Sequence, residues 1–276
     1  MDFENVLILI QKELRDALRN RWFLLYAVAF AALSLALAWL SVSGAGSYGV
    51  AGFGRTTAGL INLVLLIVPL MGLTLGAMSL AGEREKGTLV YLLAQPISAT
   101  ELLLGKFIGL ALALTAALVI GFGLTGLMMV ISGSGGDFII FATLMALAIL
   151  LAVASLSVGF LISAAVRRAA TAVGLALFLW LVLVYFGDLG LMGTAMVVQM
   201  DVGQLLTLAL VNPLQVFKIA AVLNLRDNLE VLGPAGIYAF RTYGGALWPL
   251  LVGLLLAWAA VPLALSLRVF RGRGVL

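Results

Sequence analysis

Six stretches of mostly apolar residues dominate this sequence, and none of them carries a charged side chain in its interior. They cover residues 22–43, 59–81, 107–132, 138–166, 169–187 and 247–267. A helix needs roughly 20 such residues to cross the hydrocarbon core of a bilayer. Only 10 % of the residues are charged, against about 25 % in a typical soluble domain. The sequence therefore predicts an all-α membrane protein with six transmembrane helices, forming a single domain over residues 1–276.

Basic residues are unevenly divided between the two sides that these spans define. The N-terminal segment, the second-to-third and fourth-to-fifth connections and the C-terminal tail hold 12 of the 16 Lys and Arg residues. Because Lys and Arg are enriched in cytoplasmic loops, we expect both termini of this multi-pass protein to be cytoplasmic.

Residues 189–211 are also apolar, but we do not expect them to form a seventh span. Gln199, Asp201 and Gln204 lie near the middle of this stretch, and an Asp at a helix centre costs about 2.5–3.5 kcal/mol on insertion scales. A seventh span would also move the basic C-terminal tail outside. Residues 188–246 are instead predicted to be a largely extracytoplasmic helical subdomain between spans five and six, and whether residues 189–211 re-enter the bilayer stays open. Asn212-Pro213 is expected to begin a helix there, because Asn caps and Pro suits the first helical position.

The N-terminal segment, residues 1–21, is predicted to be an amphipathic helix at the cytoplasmic membrane surface. Apolar residues recur at helical spacing, and the face that they form is expected to contact membrane lipid. This face comprises Phe3, Val6, Leu7, Ile10, Leu14 and Leu18.

The connection between spans two and three is the most informative water-facing segment. Four consecutive charged residues, 83–86, mark the exit from the membrane, and a short helix is predicted between Gly87 and Pro96. Ser98-x-x-Glu101 then matches a capping box for the next long helix. The apolar side of the short helix consists of Leu89, Leu92 and Leu93. Docking into a groove of a partner and lying flat on the membrane are both compatible with this pattern.

No residues for catalysis, cofactor binding or metal binding are predicted in this chain. It contains neither Cys nor His, and no G-x-x-x-x-G-K-[ST] motif that would bind ATP. Gly121-x-Gly123-x-x-Gly126 lies inside an apolar span, where the dinucleotide-binding interpretation of this motif does not apply. Met192, Met196 and Met200 would share one helix face, and we interpret them as flexible apolar packing rather than a Cu(I) site.

Two glycine pairs predict close helix packing within the bundle. They are Gly72-x-x-x-Gly76 in the second span and Gly105-x-x-x-Gly109 at the start of the third.

The arrangement resembles that of ABC-2 type permeases, the membrane subunits of ATP-binding-cassette transporters. The resemblance is carried by Lys12-Glu-Leu-Arg before the first span, by Glu83-x-x-x-Gly87-Thr88-Leu89 with Pro96-Ile-Ser98, and by Leu104-Gly-Lys106. It implies that residues 1–21 are an elbow helix and that residues 87–95 are a coupling helix for a cytoplasmic ATPase. It also implies a second copy of the chain and two ATPase chains, which bind the ATP and Mg²⁺. The implied docking residues are Glu83, Glu85, Gly87, Thr88, Leu89, Leu92, Leu93 and Pro96.

Within this family the chain most resembles the Nos-type permeases, which act in maturation of the copper site of nitrous oxide reductase. The matching segments are residues 179–180, 188–193, 211–218, 229–238 and 242–244. The resemblance implies a bacterial inner membrane and a periplasmic β-helical accessory protein. Candidate contacts with that protein are Met192, Met196, Asn212, Phe217 and Arg226.

Several alternatives remain open from the sequence. The chain could move a sulfur or copper species, or it could only transmit force to the periplasmic protein. An ABC-2 exporter of lipid, drug or polysaccharide would share the same cytoplasmic features. A membrane scaffold or enzyme without an ATPase belongs to a different class. No nucleic acid partner is expected.

Overall fold

A computed structural model of the chain describes residues 3–43, 49–133, 137–185, 187, 202–225 and 234–273, and these form helices without any strand. Among them, a 3-10 turn at Gly244–Ala246 precedes the last helix. The α-helices are α1 (Phe3–Arg19), α2 (Arg21–Ser43), α3 (Gly49–Glu85), α4 (Thr88–Leu93), α5 (Ala99–Ile131), α6 (Phe138–Ala165), α7 (Ala169–Tyr185), α8 (Val202–Val211), α9 (Pro213–Leu225), α10 (Pro234–Tyr243) and α11 (Leu247–Arg273). The prediction of an all-α fold is confirmed.

Five of the described helices, α2, α3, α5, α6 and α11, are long and apolar enough to cross a membrane. The helix at the fifth predicted span, α7, is apolar but has only 17 residues. Helices α8 and α9 pass the same test as a pair, with a bend of 111° between them. Length and composition therefore support five or six membrane-crossing segments.

The α8–α9 pair has the geometry of a broken or re-entrant segment. Asn212 caps α9 as predicted, because its Oδ1 accepts a hydrogen bond of 2.9 Å from the amide of Leu214. Most of α9 from Pro213 to Ala221 is buried, and the helix packs against α6 and α11. Helix α9, which belongs to the region that we expected to be largely extracytoplasmic, thus packs within the bundle. Its apolar side chains are removed from solvent there.

Helices α3 and α6 pack most extensively in the bundle, and glycines allow their backbones to approach closely. A Cβ atom on Gly76 would lie 2.5 Å from the carbonyl oxygen of Leu156, and one on Gly159 would lie 2.6 Å from that of Leu73. The predicted packing role of Gly72-x-x-x-Gly76 is confirmed, and the contact is within the chain.

The N-terminal helix α1 lies against α5, where the second glycine pair makes room for it. A Cβ on Gly105 would lie 2.6 Å from Cβ of Leu9, and one on Gly109 would lie 2.7 Å from Cβ of Glu13. The buried residues of α1 are Val6, Leu9, Glu13 and Ala17. This face is rotated from the predicted apolar face, and Leu7 and Leu18 of that face are exposed. One face of the helix therefore packs against the bundle, and a different apolar face points away from it. The spacing of apolar residues alone does not tell these two faces apart.

Polar side chains satisfy backbone groups near the two prolines inside long helices. Pro69 of α3 and Pro262 of α11 have no amide to donate and disturb the helical hydrogen bonds of the preceding turn. The indole Nε1 of Trp180 donates to the carbonyl of Leu66 at 3.0 Å, and Ser157 Oγ donates to that of Ala259 at 2.6 Å. Such side-chain partners are what allow proline within membrane helices.

Replacing Ser157 with alanine should lower stability because it removes a hydrogen bond between helices. In membrane proteins such bonds contribute about 0.6 kcal/mol on average and about 1.7 kcal/mol at most. Ser266→Ala is the matched control, since Ser266 is equally buried but donates to Leu263 of its own helix. Thermal unfolding in detergent should show a larger loss for Ser157→Ala. Equal melting temperatures for the two variants would contradict this role.

Candidate functional site at the α4 end of the bundle

A network of charged residues lies at one end of the bundle, which we call the α4 end. Here α1, the last turn of α3, the short helix α4, the first turns of α5 and the junction of α6 with α7 come together. The last turn of α3 ends in Glu83, Arg84 and Glu85, which were predicted to mark an exit into water. Glu85 is exposed, and each of the three side chains also contacts a different neighbouring element.

Lys106 of α5 is the centre of this network. Its Nζ atom lies 2.5 Å from Oε1 of Glu13 and 2.8 Å from Oε1 of Glu83. The three side chains are only 2 %, 8 % and 17 % exposed, respectively. Buried charges are tolerated when they are paired and hydrogen-bonded. One ammonium group therefore joins α1, α3 and α5.

Lys12 extends the network towards the surface. Its Nζ lies 3.2 Å from Glu13, 3.4 Å from Asp16 and 3.5 Å from Glu83. Burial lowers the pKa of Lys12, but attraction to Glu13 and Glu83 outweighs that effect, so the pKa lies above its ordinary value. Lys12 is consequently charged at neutral pH and offsets part of the negative charge of the carboxylates.

Arg84 and Glu85 contact the ends of two other helices. The Arg84 guanidinium donates to the carbonyl of Val166 at 2.7 Å, where α6 ends. Oε2 of Glu85 accepts a hydrogen bond of 2.7 Å from the amide of Ala169, where α7 begins. Cations at helix C-termini and anions at N-termini match the helix dipole. The end of α3 is thereby attached to α6 and α7 as well as to α1 and α5.

Helix α4 follows after a tight turn. Gly87 has a φ of 74°, a left-handed conformation that glycine adopts without strain. The Thr88 hydroxyl donates to the carbonyl of Glu83 at 3.2 Å across this turn. The position of α4 is thus closely linked to that of Glu83.

The sequence pattern suggested that α4 exposes its leucines at the surface, but in the structure they face the bundle. Leu89 is 1 % exposed and belongs to the core, and Leu92 and Leu93 are partly buried against it. Val90 and Tyr91 are 55 % and 77 % exposed. In this conformation a partner at α4 would meet Val90 and Tyr91 first, because the leucines attach the helix to the bundle.

The chain after α4 is fixed by a capping box, as predicted. Pro96 is exposed. Ser98 Oγ accepts from the amide of Glu101 at 3.2 Å, and the Glu101 carboxylate accepts from the amide of Ser98 at 3.0 Å. The helix that carries Lys106 therefore begins at a defined residue.

A cavity of about 460 Å³ borders the network. Glu13, Asp16, Glu83 and Lys106 are among the residues that line it. Within the described part of the chain, no group of three His, Cys, Asp or Glu residues is arranged to hold a metal ion.

Two of the residues predicted to contact a periplasmic partner, Asn212 and Phe217, lie in the described part of the chain. Asn212 is half-buried, and its Nδ2 donates to the carbonyl of Leu183 at 2.7 Å. Phe217 is fully buried in the bundle, so a partner could not reach it in this conformation. Met192, Met196 and Arg226 lie outside the described residues.

Sequence reasoning did not identify the roles of Glu13, Arg84 and Lys106. Their partners lie far away along the chain, so no local spacing connects them. One signal was present: Glu13 shares a helix face with Val6, Leu9 and Ala17, which is unusual for a charge that faces water.

Comparisons with known proteins agree with this architecture. The family model described as "ABC-2 family transporter protein" matches residues 7–275. A protein of Stutzerimonas stutzeri named "Probable ABC transporter permease protein NosY" is 33 % identical over 270 residues, covering 95 % of this chain and 96 % of the relative. A protein of Pseudomonas aeruginosa with the same name is 32 % identical over 281 residues, covering 96 % and 97 %.

Proposed function

Because the chain belongs to the ABC-2 family of transporter proteins, we propose that it is the membrane subunit through which a separate ATPase performs work. The sequence has no motif with which to bind ATP. In this proposal the partner ATPase binds ATP and Mg²⁺, and this chain is not itself an enzyme.

The observation that carries the proposal is the construction of α4. This short helix presents Val90 and Tyr91 to the outside, while its other side is anchored in the core by Leu89. An exposed aromatic residue on a firmly attached helix suits docking into a groove of a partner. The contacts of Glu83, Arg84 and Glu85 would transmit a displacement of α4 to α1, α5, α6 and α7.

We place the α4 end in the cytoplasm of a bacterium, with the chain in its inner membrane. The bias of Lys and Arg supports this orientation, as does the need for the ATPase to reach ATP. Both termini would then be cytoplasmic. One chain offers one α4, so a homodimer with two ATPase chains is the assembly that we propose, in line with the resemblance to ABC-2 permeases.

Two relatives are named NosY, in agreement with the resemblance to Nos-type permeases, and on that resemblance we propose a role in maturation of the copper cluster of nitrous oxide reductase. We propose a periplasmic β-helical accessory protein as the partner on the opposite side. Because the chain has neither Cys nor His, we favour force transmission to that protein, or movement of a sulfur species, over a copper path through the chain.

Tyr91→Ala should weaken the attachment of the ATPase. Loss of a central aromatic contact costs about 2 kcal/mol or more at an interface, which corresponds to roughly a 30-fold weaker affinity. The measurement is recovery of the ATP-binding-cassette ATPase with the tagged chain after purification in mild detergent. Tyr185→Ala is the matched control, since Tyr185 is also exposed but lies at the C-terminal end of α7. The α4 end of the bundle contacts the opposite, N-terminal end of that helix.

Two results would count against the proposal. If no such ATPase accompanies the unaltered chain from its native membrane, the proposed function fails. If the ATPase accompanies the Tyr91→Ala and Tyr185→Ala variants equally, the assignment of the docking surface fails.

A further inference from the structure

We infer that Lys106 is a positioning residue that makes α1, α4 and the start of α5 move as one unit. The inference rests on the proposed function, because the motion is the one that an ATPase bound at α4 would cause. Lys106 would not contact the ATPase or a transported species, but would act through the two carboxylates that it holds.

The first argument is the geometry of the ammonium group. Lys106 Nζ contacts a carboxylate of α1 and a carboxylate of α3 at hydrogen-bonding distance, and its side chain is almost completely buried. Charge-assisted hydrogen bonds are shorter and stronger than neutral ones. Both carboxylates are also mostly buried, which strengthens their attraction to the lysine relative to a pair in open water.

The second argument is the close packing next to Lys106. Gly105 and Gly109 on either side of it bring α5 into contact with α1 at Leu9 and Glu13. Sliding of α1 along α5 would therefore break the ion pair and the backbone packing together. The contact between these two helices is expected to be rigid.

The third argument is the position of Glu83 in the last turn of α3, close to the start of α4 at Thr88. Only a short turn separates them, and the Thr88 hydroxyl bonds back to the Glu83 carbonyl. A displacement of α4 consequently acts on Glu83 before it reaches the rest of α3. Because Glu83 is bound to Lys106, the displacement is passed to α5 and, through Glu13, to α1.

The absence of cysteine from the chain makes this motion measurable. Spin labels are attached to cysteines introduced at Gln11 on α1 and Gln95 beside α4, which are both exposed. The distance between the labels is measured by electron spin resonance in nanodiscs, for the complex with its ATPase, without nucleotide and with trapped ATP. A second pair at Gln95 and Val211 serves as the reference, since Val211 is exposed at the end of α8, outside the proposed unit.

We expect the Gln11–Gln95 distance to be a single narrow distribution that is unchanged by nucleotide, while the Gln95–Val211 distance shifts. In the variant Lys106→Met/Glu13→Gln/Glu83→Gln, which leaves no buried charge unpaired, the Gln11–Gln95 distribution should broaden and shift with nucleotide. Lys12→Met is the matched control, since it removes a lysine from the exposed edge of the same network. In this variant the Gln11–Gln95 distribution should stay narrow.

The inference is overturned if the triple variant keeps the narrow, unchanged distribution, if the unaltered network already shows a nucleotide-dependent Gln11–Gln95 shift, or if the reference pair does not move. Each of these results requires that the ATPase is present in the complex. Failure of the ATPase to bind the unaltered chain is a separate result, and it would overturn the proposed function on which the inference rests.

Discussion

Replacing Lys106 with methionine is expected to destabilise the chain by about 3 kcal/mol, the lower end of the range for breaking a buried ion pair, because Lys12 still contacts both carboxylates. Methionine matches the length and apolar stem of lysine but cannot neutralise Glu13 and Glu83. Both carboxylates are mostly buried, so they would have to take up protons or draw water into the bundle. The measurement is the free energy of unfolding in mixed detergent micelles.

Lys12→Met removes the same charge from the same network and is the control for this prediction. Lys12 is 42 % exposed and its contacts are longer, so the expected loss is about 0–1 kcal/mol, as for surface ion pairs. If the two variants were equally stable, Lys106 would not hold the α4 end together.

Gly76→Ala should also be strongly destabilising, because α3 and α6 have no room for a methyl group at this point. The new Cβ would lie 2.5 Å from the Leu156 carbonyl oxygen and 2.9 Å from the Gly159 backbone. Neither atom belongs to a flexible side chain, so the helices must separate. Overpacking of this kind costs about 1–3 kcal/mol, and occasionally more. The loss should appear as a lower melting temperature in detergent.

Gly123→Ala provides the comparison for this substitution. Gly123 lies inside α5 and has no neighbour within 4 Å of an added Cβ. Alanine there should be neutral or slightly stabilising because it lowers the entropy cost of ordering the helix. A Gly76→Ala variant as stable as Gly123→Ala would show that the close α3–α6 contact does not contribute to the fold.

Long apolar stretches and local capping signals made much of the fold predictable. Five of the six predicted spans correspond to long described helices, and both the Ser98 capping box and the Asn212 cap were visible from neighbouring residues. These features depend on residues close together in sequence. Composition and spacing therefore determine them without knowledge of the tertiary structure.

The charged network was not predictable for a physical reason. Lys106 and Glu13 lie 93 positions apart, and their pairing depends on how α1 is rotated against α5. Similarly, the three leucines of α4 predict an amphipathic helix but not which side faces the bundle. Leu89 packs inward, so that Val90 and Tyr91 are left outside. The short helix itself was predictable from the sequence, whereas the direction in which its leucines face was not.

The central claim is that an ATPase docks at α4, and site-specific crosslinking tests it most directly. A photo-crosslinker attached to Gln95→Cys, beside α4, should form a covalent adduct with the partner ATPase in native membranes. The same reagent at Ser132→Cys, at the far end of α5, should form none, and the natural chain contains no other thiol. An absent adduct at position 95, or an equal adduct at position 132, would contradict the docking of an ATPase at the α4 end.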